Sequence, residues 1–233
     1  MKNPSGKPLF KTWKVAVIPT FAALNVLAGL IPVTPVIGIP GVFFKLSWAV
    51  APLTGLLLGP LAGGLSCFIA SLIESLLGLK VWAFGPLSLM SSTISAVQSG
   101  LITSKRWRVS TAILALLILV WVTLPIGRES AAILVFHLAG LLLLVLFRGR
   151  VGEYLNLDDV KKVAFGVAVA SYCGNITRHL LGNILGVTLL AWPSSIFIIA
   201  MPFTLIEQLT FTIGAILIGT PLARLELRRR LRY

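Results

Sequence analysis

Charge is what this chain has least of. Charged residues occupy 12% of its 233 positions, and only seven are acidic, where a soluble chain carries about 25% charged residues. Hydrophobic residues make up 57%, and mean hydropathy is +0.98. So little polar surface cannot cover a globule, which excludes a soluble enzyme, a disordered tail and a coiled coil. Cysteine is almost missing. Cys67 and Cys173 each sit inside an apolar run, with no disulfide framework and no metal-binding spacing. Histidine is as scarce, with His137 and His179 alone. There is no P-loop, no G-x-S-x-G and no H-E-x-x-H. No motif asks for a cofactor or a metal, and the chain is read as a non-enzyme. A pairing of His179 with a serine of the fourth apolar run is the one catalytic arrangement left, and no local feature supports it.

What is present is the pattern of an all-α, polytopic membrane bundle. Crossing the hydrocarbon takes about 20 mostly apolar residues. Eight stretches qualify, near 15–33, 42–58, 61–78, 84–103, 109–125, 131–147, 163–191 and 194–219. Pro and Gly break the first loop between Pro32 and Gly41, and Gly59-Pro60 makes a tight turn. No small-residue cleavage site follows the first stretch, so it is read as a retained span rather than a signal peptide.

The basic residues test that count. The formal net charge is +13, which in a soluble protein would suggest nucleic acid. With both termini inside, 16 of the 20 basic residues fall on the inner side, in the N-terminal segment, at 105–108, 148–162 and 224–232. Eight spans, N-in and C-in, therefore satisfy the positive-inside rule, and place the chain as a multi-pass protein of the cell membrane. Segment 148–162 reads as an inner loop with a short interfacial helix, Asp158 and Asp159 near its start. The basic tail 220–233 suits anionic lipid headgroups or a cytoplasmic partner.

Ionisable residues inside such runs are costly and commonly functional. In the seventh run Gly174, Arg178, Gly182 and Gly186 recur every four residues and form one helical stripe, with Asn175, His179 and Asn183 beside it. Two readings stay open. The stripe is a packing seam in which Arg178 pairs with Glu207, or it is the wall of a polar cavity. Packing alone does not require Asn175, His179 and Asn183, which favours the wall. The eighth run supplies Thr204, Glu207, Gln208, Phe211 and Thr212 on one face. The fourth supplies Ser88, Ser91, Ser92, Ser95, Gln98 and Ser99, a set that close packing would explain by itself. Three polar faces can converge on one wet pocket. Glu74 is a candidate pocket or rim residue. Trp82, Phe84, Trp192 and Phe197, at outer ends, read as an interfacial belt, Lys45 and Lys80 as snorkelling anchors, and His137 as a satisfied core histidine. Gly55, Gly59 and Gly63 form a helix-packing motif.

Residues 46–78, LSWAVAPLTGLLLGPLAGGLSCFIASLIESLLG, carry a Gly59-Pro60-Leu61-Ala62-Gly63 turn and end near Glu74. The last run, FTLIEQLTFTIGAILIGTPLARLELRR, ends in a basic tail. On these segments the chain resembles the S component, the substrate-binding membrane subunit of energy-coupling factor (ECF) transporters. The resemblance covers 15–104 and 163–230. It departs in helix number, eight against the family's usual six, with 109–147 as an extra hairpin, and in the first-helix docking motif, matched only by Ala16 and Thr20. It implies capture of a vitamin or similar small molecule from outside. A transmembrane coupling (T) subunit and two ATPase subunits would then drive release. It also implies a pocket under the loop 33–41 as lid, walled by Ser92 and Ser95, by Asn175, Arg178 and His179, and by Glu207 and Gln208. Two rival classes remain: a stand-alone secondary transporter with an Arg178/Glu207 relay, and a membrane assembly protein docking through its glycine seams.

Overall fold

The computed structural model describes residues 9–35, 41, 43–79, 84–104 and 106–231, with side chains from 16 to 225. Every one of the eight apolar stretches contains a helix. They are α1 (Leu9–Ala28), α2 (Ser47–Leu58), α3 (Pro60–Leu76), α4 (Met90–Thr103), α5 (Trp107–Thr123), α7 (Leu134–Phe147), α9 (Val160–Leu190) and α10 (Ser194–Leu231). Two five-residue helices, α6 (Pro125–Glu129) and α8 (Arg150–Tyr154), serve as connectors. The fold is all-α apart from one antiparallel ribbon, β1 (Pro32–Pro35) and β2 (Phe43–Lys45).

The ribbon corrects the expectation that 42–58 is helical throughout. Phe43, Phe44 and Lys45 pair with β1, and α2 begins only at Ser47. At 12 residues α2 is about 18 Å long, well short of the ~30 Å hydrocarbon. By length and composition one helical segment, Ser194–Leu225, can cross a membrane unaided, while α2, α3, α5 and α7 are shorter apolar helices. Segment 148–162 differs from expectation too. Its short helix α8 stops before the aspartates. Asp159 instead caps α9, its carboxylate accepting from the backbone N–H groups of Lys161 and Lys162 at 2.9 and 3.4 Å, which satisfies donors a helix start leaves orphaned.

Helix α4 packs on α2, α3 and α9, and α9 in turn on α5, α7 and α10. Small residues set these approaches. A Cβ on Gly55 would overlap the Ala96 backbone of α4, and one on Gly63 would press on Gly55. The glycine motif is thus a seam between α2, α3 and α4, as its spacing suggests. Some polar groups bridge helices within the bundle. Ser99 donates to the Ala170 carbonyl at 2.9 Å, and Gln98 to the Ser110 carbonyl at 2.8 Å. Leu205, Ile206, Leu209, Ile213 and Leu217 of α10 face outward, as helices do against lipid.

Candidate functional site

At the end of the bundle where β2 meets α2, helices spread and leave a cavity of about 450 Å³, within the range of small-molecule sites. Its walls come from the ribbon, the start of α2, the end of α3, the turn before α4, the C-terminal half of α9 and the first half of α10.

Arg178 dominates it. The side chain is 2% exposed and lines the cavity. Its guanidinium lies over the Trp48 indole, Cζ 3.3 Å from the ring centroid, so the ring quadrupole supports the cation. Trp48 is itself held by aromatics, Phe44 at 4.2 Å and Phe211 at 5.7 Å between centroids. Among the described residues none of the three guanidinium nitrogens has a hydrogen-bond partner. A buried guanidinium with five donors unspent is expensive. It is tolerated beside a void that water or a ligand fills.

The Arg178–Glu207 ion pair, one of the two readings the sequence left open, does not form. Among the described residues the ion pairs are Lys162–Asp159 and Arg224–Asp158. Glu207 lines the same cavity from α10, yet every guanidinium nitrogen is left without a partner. The short connection, 191–193, puts the two residues at similar distances from the turn, but spacing does not say how far each helix is rotated, and so whether the two side chains meet. Glu74, from α3, is the carboxyl that acts electrostatically on Arg178. It is packed so closely on α1 that a Cβ at Gly29 would overlap its Oε1.

Of the nine candidate residues, six line the cavity: Glu74, Ser92, Arg178, His179, Asn183 and Glu207. Three do not. Asn175 is fully buried and accepts from Ser95 Oγ at 3.1 Å, closing the α4–α9 seam below the floor. Gln208 is 1% exposed, between helices, with neither amide atom bonded among the described residues. The glycine stripe divides likewise. A Cβ at Gly174 would meet Ser95 and Ser99, and one at Gly186 would meet Trp192, but one at Gly182 would meet nothing, for Gly182 faces the cavity.

The aromatic belt reading is corrected. Phe84, Trp192 and Phe197 line the cavity, with Phe84 6.1 Å and Phe197 6.2 Å from the Trp192 ring. The chain folds these outer ends inward, since Ala191 takes a left-handed conformation (φ 51°) and bends the α9–α10 connection over the mouth. Lys45 is no lipid anchor either. It lines the cavity and donates from Nζ to the Leu79 carbonyl. His137 is fully buried, as expected of a core histidine, but it contacts His179. Trp82, Lys80 and residues 36–40 of the expected lid lie outside the described residues; the described Pro32 and Gly41 line the mouth.

Sequence reasoning missed Phe44 and Trp48. Phe44 comes from β2 and Trp48 from the first turn of α2, so no helical spacing in the sequence pairs them. The assembled site offers an apolar, ring-lined slot, two cations (Lys45, Arg178), two carboxyls (Glu74, Glu207) and an imidazole. Rings beside donors and acceptors suit a planar molecule rich in hydrogen-bonding groups.

Comparisons with known proteins place the chain in a family. A family model described as the ECF-type riboflavin transporter, S component, matches residues 9–194. The matched segment includes 109–147 and ends where α10 begins. An uncharacterized protein of Methanocaldococcus jannaschii is 31% identical over 159 residues, 68% of this chain and 54% of that one, so the chain spans about half the length of this curated relative. No solved structure matches.

Proposed function

The chain belongs to the ECF-type riboflavin transporter S-component family, membrane-embedded substrate-binding subunits of transporters, and from that premise we propose that its cavity captures riboflavin or a closely related flavin from outside the cell. The observation that carries this is the enclosed Arg178 guanidinium, stacked on Trp48 and otherwise unpartnered among the described residues, in a ring-lined slot. An isoalloxazine is flat, so Trp48, Phe84 and Trp192 can stack on it. Its carbonyls accept hydrogen bonds, which an unspent guanidinium supplies.

In this reading the helices of the eight apolar stretches cross the cell membrane with both termini inside, the cavity opens outward, and the ribbon of β1 and β2 forms part of its cover. The inner side then carries the basic clusters. The chain holds no nucleotide-hydrolysing motif, so release into the cell is driven by a coupling T subunit and ATPase subunits supplied by other chains. The helices at 107–147 add a buttress on α9, where α5 and α7 pack against it. A self-sufficient transporter working through an Arg178/Glu207 relay loses its support, because the two residues form no pair.

The test is direct. Purified protein in detergent, without ATP and without partner subunits, should quench flavin fluorescence on titration with riboflavin and reach one-to-one saturation. Absence of saturable quenching, with riboflavin unable to raise the unfolding temperature, would count against the proposal.

A further inference from the structure

Two histidines touch beneath the cavity wall. His137 Nδ1 lies 3.0 Å from the Ile133 carbonyl oxygen, His179 Nδ1 lies 3.4 Å from His137 Nε2, and the rings are 5.5 Å apart at 28°. The Asn183 side-chain amide lies 3.4 Å from the same His179 Nδ1. His137 is fully buried; His179 lines the cavity.

The protons in this chain are fixed by elimination. A backbone carbonyl only accepts, so His137 Nδ1 carries a hydrogen and donates to Ile133. A neutral imidazole holds one N–H, so His137 Nε2 is a lone pair. A second proton there would place an imidazolium at a fully buried site, a charge that burial penalises heavily. Two lone pairs do not face each other at hydrogen-bond range, so His179 Nδ1 carries the hydrogen and donates to His137. His179 Nε2 is then a lone pair. It has no hydrogen-bond partner among the described residues, and its ring forms part of the cavity wall. The Asn183 amide points Nδ2 at this His179 Nδ1 at 3.4 Å; a protonated Nδ1 requires that amide turned by 180°, an O/N choice the hydrogen-bond network decides, so that its oxygen accepts.

We infer that His179 presents Nε2 to the cavity as a fixed hydrogen-bond acceptor, held in that tautomer by His137, and that this acceptor and the Arg178 guanidinium together read an N–H beside a carbonyl on the substrate's heterocycle. The tautomer rests on the Ile133–His137–His179 contacts with the Asn183 amide turned; the substrate group rests on the flavin reading above, since the pyrimidinedione edge of an isoalloxazine carries an imide N–H between two carbonyls. His137 touches no substrate and is a positioning residue. It comes from α7, which gives the 107–147 helices a role in specificity as well as packing.

The experiment has two arms. The chain has only two histidines, so long-range proton–nitrogen NMR on histidine-labelled protein in detergent reads both rings. The expected result is two neutral rings, each protonated on Nδ1. In His137→Phe the acceptor is gone and His179 should shift to the Nε2–H form, while His137→Gln, which keeps an acceptor oxygen, should hold it on Nδ1. A His179 ring protonated on Nε2 in the wild type overturns the tautomer. In the second arm riboflavin and its N3-methyl analogue, which has no imide N–H, are compared by calorimetry; a purely steric effect of the methyl group would persist in His137→Phe. Wild type should prefer riboflavin by about tenfold or more, the scale of one buried hydrogen bond. The preference should vanish in His137→Phe and return in His137→Gln. Equal affinity for the two compounds in wild type overturns the substrate half. Binding of neither flavin overturns the functional reading and the substrate half with it, while the spectra still decide the tautomer.

Discussion

The Arg178 guanidinium sits 3.3 Å from the centroid of the Trp48 ring, and the two residues come from α9 and α2, 130 positions apart in sequence. Their contact ties the buried end of α9 to the start of α2. It also turns the free edges of the guanidinium toward the cavity, because its face is already occupied by the indole. Removing the indole leaves the cation without its support and widens the slot. Trp48→Ala should weaken riboflavin binding by about tenfold or more, the sum of a cation–π contact and a lost stacking surface. Trp48→Phe should recover most of it. Fluorescence titration measures both.

Close helix approach at Gly55 is a separate matter from binding. A Cβ there overlaps backbone atoms of Ala96, which cannot move aside as a side-chain tip can. Gly55→Val should lower stability by more than about 2 kcal/mol, read as a fall in unfolding temperature with any residual fold still binding flavin. Gly182→Ala, where a Cβ meets nothing, should leave stability unchanged and alter affinity only.

The α9 cap offers a control far from the cavity. Asp159 accepts from two backbone N–H groups at the helix start. Asp159→Ala should cost about 1 kcal/mol with unchanged riboflavin affinity. Asp159→Asn, an equally good cap, should restore the stability.

Crossing direction can be read from chemistry at the loops. The native cysteines, Cys67 and Cys173, are fully buried, so single introduced cysteines stand out. In whole cells a membrane-impermeant maleimide should label Glu129→Cys and spare Asn156→Cys, both exposed positions. The reverse pattern, or labelling of both, would contradict the eight-span, both-termini-inside arrangement.

Much of this was legible in the sequence because it is local. Apolar run length located all eight long helices, and four-residue spacing put Arg178, Gly182 and Gly186 on one stripe and His179 beside Asn183. What was not legible depends on how each helix lies against its neighbours. Arg178 and Glu207 share a cavity without pairing, because spacing along α9 and α10 gives their distance from the turn but not the rotation of each helix about its axis. Ser95 and Asn175 were assigned to the pocket on the right faces but sit below its floor, bonded to each other. Phe84, Trp192 and Phe197 were assigned to lipid because outer-end aromatics commonly are; the bend at Ala191 that turns the connection inward leaves no periodic trace. The ribbon of β1 and β2 was hidden by its prolines and glycines, which read as loop.

The central claim is that Arg178 is held in readiness for a substrate rather than used to hold the fold. Arg178→Met separates the two, by measuring unfolding temperature and riboflavin affinity on the same preparation. The account predicts an unfolding temperature that is unchanged or higher, since a buried cation with unspent donors is removed, together with affinity lower by about tenfold to a hundredfold, the worth of hydrogen bonds from a charged donor. A variant that unfolds at markedly lower temperature yet binds riboflavin as tightly as the wild type would contradict it.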